Sequence, residues 1–242
     1  MPVSFTTSSQ ANASNGVKLL VYADSGIGKT MLAATAPAPL LISAESGMLS
    51  LSKKNIERVW GVNTPGITYD IPAIEIKTVD DLTEAYSLIT TNQHFAHFQT
   101  ICMDSLSEIG EVVLNNAKRQ VKDPRQAYSE LLEKMETVIR LFRDLQGKHV
   151  YMSAKSGQIK DDLTGMVKTG PSMPGAKLAN NLPYYFDEVL RLAVNTDPQT
   201  GQSYRYFQTQ PDFQSHAKDR SGCLDAMEMP HLGHVFNKIL GD

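Results

Sequence analysis

The stretch Ala23-Asp24-Ser25-Gly26-Ile27-Gly28-Lys29-Thr30 constrains this chain more than any other. It reads A-x-x-x-x-G-K-T, a phosphate-binding loop with alanine at its first position. The run before it, Val17 to Ala23, is short and apolar, as a buried strand is. The run after it, Met31 to Ala36, is a good helix former that stops before Pro37. Strand, glycine loop and helix form the setting in which this motif cradles phosphate. The four fixed positions arise by chance in roughly one chain in fifty of this length. Backbone N–H groups of such a loop converge on phosphate oxygens, and the helix N-terminus adds partial positive charge. The motif therefore assigns Asp24, Ser25, Gly26, Ile27, Gly28, Lys29, Thr30 and Met31 to ATP binding. Lys29 reaches the β- and γ-phosphates, and the Thr30 hydroxyl holds Mg²⁺. The bland alternative is an ordinary strand-to-helix turn with a solvent-facing lysine.

The chain has 242 residues, of which 41% are hydrophobic and 20% charged. That suffices for one large core. We expect a flexible, small and polar arm over residues 1–16 and one domain over 17–242. The apolar runs are too short to span a bilayer. The N-terminus lacks the basic-then-apolar pattern of a secretory signal. The two cysteines, Cys102 and Cys223, have neither zinc nor disulfide spacing, which fits a reducing cytoplasm. With a net charge of −3, any nucleic-acid binding has to come from local basic patches.

Segments alternate in the α/β manner. Strands are expected at Pro39–Ser43, Gln99–Met103 and His149–Ser153. Helices are expected after the capping Thr78, after the Ser105-x-x-Glu108 capping box, and from Arg125 to Gln146 before Gly147. The stretch from Lys155 to Ala176 carries six glycines and prolines without periodicity, and reads as a long structureless loop. Phe186–Val194 and Tyr204–Gln208 read as an antiparallel pair, and Leu232–Leu240 as a closing helix.

Hydrolysis needs more than a phosphate loop. Asp104 ends the apolar run Thr100–Met103, where a second Mg²⁺ anchor belongs; it could instead cap the next helix. Glu45 follows the strand Pro39–Ser43 and is the candidate base that polarises the attacking water, against a solvated loop glutamate. Two basic segments stand out. Lys118, Arg119, Lys122 and Arg125 surround a loop, and Lys160 and Lys168 lie in the long glycine-rich stretch. By charge alone these are solvated surface loops.

Residues 17 to 222 resemble the RecA-like recombinase core, closest to the small phage ATPases of the RecA-core single-strand-annealing group. Ser43-Ala44-Glu45 resembles the family's strand-end glutamate motif, and Met103-Asp104-Ser105 its metal-anchoring motif. Lys218-Asp-Arg220-Ser-Gly222 resembles a Lys-x-Arg-x-Gly motif whose basic residues reach the γ-phosphate of a neighbouring subunit. The resemblance implies an α/β P-loop NTPase with a mostly parallel central sheet and helices on both faces. It implies ATP and Mg²⁺ as cofactors, with catalysis by Glu45, Lys29, Lys218 and Arg220 and metal binding by Thr30 and Asp104. Lys118, Arg119, Lys122, Arg125, Lys160 and Lys168 become DNA contacts. Ser153 and Lys155 stand where the family has its nucleotide sensor. The implied activity is a DNA-stimulated ATPase that binds single-stranded DNA and promotes annealing or recombination. The implied partners are copies of itself in a ring or filament and a single-strand-binding protein. The implied setting is a phage-encoded protein in bacterial cytoplasm. Two other classes stay open: a nucleotide-dependent DNA-binding protein without need of turnover, and a P-loop ATPase with a non-DNA target.

Overall fold

In a computed structural model, Thr7 and residues 15–45, 48–160 and 165–241 are described. The arm foreseen for residues 1–16 lies almost wholly outside them. Ten strands among these residues join one sheet, in the order β10-β8-β7-β1-β5-β4-β2-β3 with β6 on β5 and β9 on β7.

The first strand, β1 (Lys18–Ala23), is buried along its length. Its alternate residues serve two cores: Leu20 and Tyr22 face one, Leu19, Val21 and Ala23 the other. A strand buried on both faces reads as a continuous apolar run, which is why periodicity is invisible there. The phosphate loop follows. It leads not into an α-helix but into a 3₁₀ helix, Thr30–Thr35, a correction to the expected element. The segment is confined between the loop and Pro37, and short helices of this kind commonly adopt the tighter winding. Next come β2 (Pro39–Ser43), α1 (Lys53–Trp60) and β3 (Ala73–Glu75). Helix α2 (Val79–Thr91) begins with a complete capping box between Thr78 and Asp81.

Strand β4 (Thr100–Asp104) feeds α3 (Leu106–Gln120), and α4 (Pro124–Arg143) follows after three residues. Ser105 caps α3 by accepting from the Glu108 N–H at 3.4 Å. Only half of the expected box forms, because the Glu108 carboxylate turns to Lys155 instead. Pro124 occupies the first turn of α4, where a missing N–H costs nothing.

The second correction concerns residues 155–176. β5 runs from His149 to Lys160, seven residues beyond the expected end. It turns back through β6 (Val167–Ser172) as an antiparallel hairpin. Gly157 and Gly170 are cross-strand partners. A Cβ at Gly170 would lie 2.5 Å from the Ile159 side chain, and one at Gly157 2.8 Å from Ser172. The glycines that suggested a loop are what let two strands close tightly.

The chain then forms α5 (Ala176–Asn181), β7 (Glu188–Thr196), β8 (Ser203–Gln208), β9 (Lys218–Asp219), β10 (Met227–Glu228) and α6 (Leu232–Leu240). The six strands β7-β1-β5-β4-β2-β3 are all mutually parallel. Helices α2, α3, α4 and α5 bury their apolar faces on one side, while α6 and the 3₁₀ helix do so on the other. This is the α/β RecA-like P-loop fold, a mostly parallel central sheet flanked by helices on both faces.

Candidate functional site

In parallel sheets, ligands gather beyond the carboxyl ends of the strands. Here β1 ends at Ala23, β2 at Ser43, β4 at Asp104, and β5 passes the same edge at Lys155. A cleft of about 470 Å³ opens there, lined by the phosphate loop together with Glu45, Lys155 and Ser156.

The loop's backbone explains its sequence. Gly26 and Gly28 have φ of 76° and 112°, a region that side chains with a Cβ rarely adopt. Ala23 is not among the residues with positive φ, so alanine fits at the motif's first position. Buried Tyr151 supports the loop from below, its hydroxyl donating to the Lys29 carbonyl at 2.9 Å. The Lys29 ammonium folds back onto the carbonyls of Ala23 and Asp24, at 2.9 and 3.0 Å. Burial lowers its pKa, against the opposing pull of Asp104, Glu45 and Asp24.

Asp104 is 1% exposed. The Thr30 hydroxyl donates to its Oδ2 at 2.5 Å, and the Ser153 hydroxyl donates to its Oδ1. Asp104 therefore faces the loop rather than capping α3. A hydroxyl and a buried carboxylate meeting beside the loop form the oxygen-rich donor set that suits Mg²⁺. Thr30 and Asp104 fit that ion, and Ser153 orients Asp104.

Glu45 lies across the cleft. Its Oε1 accepts from the Ser105 hydroxyl at 3.3 Å, and its backbone N–H is tied to Ser43 Oγ at 3.1 Å. Its pKa is raised, first by burial and then by the nearby Asp104 carboxylate. A carboxylate made more basic in a cleft beside a phosphate site suits a group that polarises water. Of the two residues at the sensor position, Ser153 touches Asp104, while Lys155 is held in an ion pair with Glu108. Ser156, one residue on, meets the Asp24 carboxylate.

Arg205 was not foreseen. From β8 its Nε donates to the Ile27 carbonyl at 2.7 Å, so a guanidinium sits on the shoulder of the phosphate loop. No local signal could reveal it, since the partners lie 178 residues apart.

Lys218 and Arg220 lie elsewhere. β9 pairs with the start of β7, Lys218 opposite Val189, whereas the loop end of β1 lies level with Arg191. They stand at the foot of the sheet, away from their own chain's loop. Lys218 is half-buried and donates to the Pro183 carbonyl at 3.0 Å and to that of Phe186. Arg220 makes an exposed ion pair with Asp187 at 2.8 Å.

Of the proposed DNA residues, Lys118 and Arg119 belong to the last turn of α3 and Arg125 to the first turn of α4. The first basic loop is thus a tight helix–helix corner, with only Lys122 in the linker. Lys160 ends β5, and Lys168 lies on β6 with its ammonium on the Asp212 carbonyl at 2.8 Å. The two elements bring these six cations to separate places. Among the described residues no helix is long and apolar enough to cross a membrane.

A family model described as an AAA domain matches residues 15–221. No curated protein matches the chain. Among solved structures, a KaiC-like protein from the hyperthermophilic archaeon Pyrococcus horikoshii is similar. It shares 14% identity over 80% of this chain and 77% of its own, with a TM-score of 0.42.

Proposed function

This chain belongs to the AAA domain family, and from that premise we propose a Mg²⁺-dependent, DNA-stimulated ATPase that binds single-stranded DNA and promotes strand annealing or recombination. The observation that carries the ATPase reading is the convergence of Lys29, Thr30, Asp104 and Glu45 on one cleft from three strand ends. Lys29 exchanges two carbonyls for the β- and γ-phosphates. Thr30 and Asp104 hold Mg²⁺, which neutralises developing charge on the phosphates when bound. Glu45 would accept a hydrogen bond from the attacking water and draw on its proton as the oxygen bonds to phosphorus.

Lys218 and Arg220 cannot serve their own chain's loop, which favours action on a neighbour in a ring or filament. Within its own chain Lys218 rests on two carbonyls, partners that phosphate could replace as it would for Lys29. Arg220 has an exposed partner of little net worth and is the residue free to reach across. For DNA, the reading rests on the basic residues at the α3–α4 corner and on the β5–β6 hairpin, and on the resemblance to single-strand-annealing ATPases. A single-strand-binding protein is a further proposed partner.

The test is ATPase rate with and without single-stranded DNA over a range of protein concentrations. Turnover that rises with both DNA and concentration supports the reading. Turnover without DNA response leaves an ATPase with another target. Mixing inactive Lys29→Ala with inactive Arg220→Ala examines the trans arrangement. Partial recovery supports it, and no recovery between freely exchanging subunits removes it.

A further inference from the structure

We propose that single-stranded nucleic acid is gripped by stacking bases on two exposed aromatic rings, Tyr128 and Phe213, at the two ends of strand β6. The inference rests on the DNA-binding reading above and adds the mode of contact. Charge alone gives phosphate contacts; the structure adds rings beside those charges.

Phe213 is 85% exposed and lies outside both basic segments named from sequence. Its loop is nonetheless built onto β6. Thr169 bridges Ser215 in parallel, the Thr169 N–H donates to the Gln214 carbonyl at 2.7 Å, and the His216 N–H donates to the Thr169 carbonyl at 2.9 Å. The Lys168 ammonium holds the Asp212 carbonyl, one residue from Phe213. The Asp212 N–H donates to the Ser215 carbonyl at 3.2 Å, so Phe213 sits on a tight turn hung from β6. Lys160, the last residue of β5, pairs with Val167, the first of β6. The exposed ring thus stands beside Lys168, on the hairpin that also carries Lys160.

Tyr128 marks the other end. It is 44% exposed, and the Lys118 ammonium lies over its ring, 5.8 Å from the centroid. A cleft of about 400 Å³ beside it is lined by Tyr128, Leu131, Pro174, Gly175 and Lys177, just past Ser172 where β6 ends. Six residues of strand separate the two ends, roughly 20 Å at the usual rise. Both belong to one side of the sheet. The Tyr22 hydroxyl, in the core beneath α3 and α4, donates to the carbonyls of Thr169 and His216 at 3.2 and 2.5 Å.

Flat rings flanked by cations at both ends of a strand match a flexible polyanion with exposed bases. Every base offers a π-face, so such a surface is tolerant of sequence. A duplex, whose bases are already stacked, cannot use the rings.

The experiment measures binding of a labelled oligothymidylate and of an abasic strand of equal length across a salt series. Wild type is expected to prefer the thymidylate. Tyr128→Leu and Phe213→Leu, which keep apolar bulk, are each expected to weaken thymidylate binding about tenfold. Neither should change abasic binding or the salt slope. Lys160→Ala with Lys168→Ala should weaken both strands and flatten the slope by about 0.7 per lost contact. If the leucine variants bind thymidylate as wild type does while the lysine variant falls, stacking is overturned and the DNA reading stands. If wild type binds neither strand at low salt, both are overturned. A change in oligomeric state in the leucine variants with unaltered DNA affinity also overturns the inference, and assigns the rings to contacts between copies.

Discussion

The two ends of the sheet use charge in opposite ways. At the carboxyl end, Lys29, Glu45 and Asp104 are held by neighbours that a ligand can replace: main-chain carbonyls, a serine hydroxyl, a threonine hydroxyl. At the foot, Arg220 apart, the charges are committed to the fold. Lys18 is 6% exposed, and its ammonium is fixed to the carbonyls of Leu145 and Lys148 at 3.0 and 2.7 Å; burial lowers its pKa to about 8. Glu188 is 1% exposed, and one of its oxygens accepts from the Ser221 N–H at 3.1 Å. Burial first, then the adjacent Asp219 carboxylate, raise its pKa to about 7. Among the described residues its other oxygen faces no donor, an arrangement that a protonated carboxyl donating to Asp219 satisfies. Asp219 in turn accepts from Ser221 Oγ and from the N–H groups of Gly222 and Leu224. The lesson is that burial does not separate the two ends, since Asp104 and Glu188 are each 1% exposed. What differs is whether the partners line an open cleft, as those of Asp104 and Lys29 do, or are packed into the fold.

The largest effect should come from the working end. Lys29→Ala is expected to lower ATP affinity by about 100-fold or more, because a charge-assisted contact to phosphate disappears. Lys18→Met should leave ATP affinity as it is. Calorimetric titration of both variants checks the contrast, and a parallel loss in Lys18→Met would break it.

Glu45→Gln comes next. ATP binding should persist while kcat drops by about 100-fold, the scale of a positioned base. Steady-state rates together with nucleotide binding read this directly. Unchanged kcat would make Glu45 a surface residue after all.

At the foot, Glu188→Gln should stabilise the fold. The folded pKa of Glu188 lies above its unfolded value of 4.5. The folded chain therefore binds the extra proton more strongly, and stability falls as pH rises from about 4.5 to about 7. Glutamine keeps the neutral form at every pH. Its advantage should be about 1–3 kcal/mol at pH 8 and vanish near pH 4. Urea denaturation at several pH values measures it; a gain independent of pH would show that Glu188 is not the titrating group.

The smallest effect is expected at the rim of the working end. Arg205→Ala removes one hydrogen bond to the phosphate loop and should raise KM for ATP about threefold with kcat nearly unchanged. A fall in kcat alone would instead give Arg205 a part in the chemistry.

Much of the working end was legible because its signals are local. The loop motif, Asp104 at the end of an apolar run and Glu45 after another each sit within a few residues of what identifies them. Even there, sequence could not say whether Asp104 capped a helix or faced the loop; the contact with Thr30 decides it, across 74 positions. The hairpin was missed for a different reason. β6 is a short, half-exposed strand with Gly170 and Pro171 inside it, so it has no alternating pattern to read. Its register depends on paired glycines in two separate strands. Arg205 and Phe213 were missed because their meaning comes only from distant partners. At the foot, the motif reads Lys218 as a cation acting on a neighbouring copy. Within one chain its ammonium rests instead on the carbonyls of Pro183 and Phe186, contacts between segments 35 and 32 residues apart that no local pattern announces.

The margins of the sheet bear on how copies of this chain can meet. One border strand, β10, is two residues long and the other, β3, is three, with Glu75 of β3 ion-paired to Lys77 at 3.0 Å. Borders this brief offer a second molecule almost no ladder to extend, and charge beside them discourages the attempt. Strand-to-strand addition is thereby discouraged at these two borders, and on the outer edge of β6 the bridge from Thr169 to Ser215 occupies part of the ladder. A second copy meeting the chain at either of these borders would find side chains rather than a ladder, and an association made that way would answer to salt and to single substitutions.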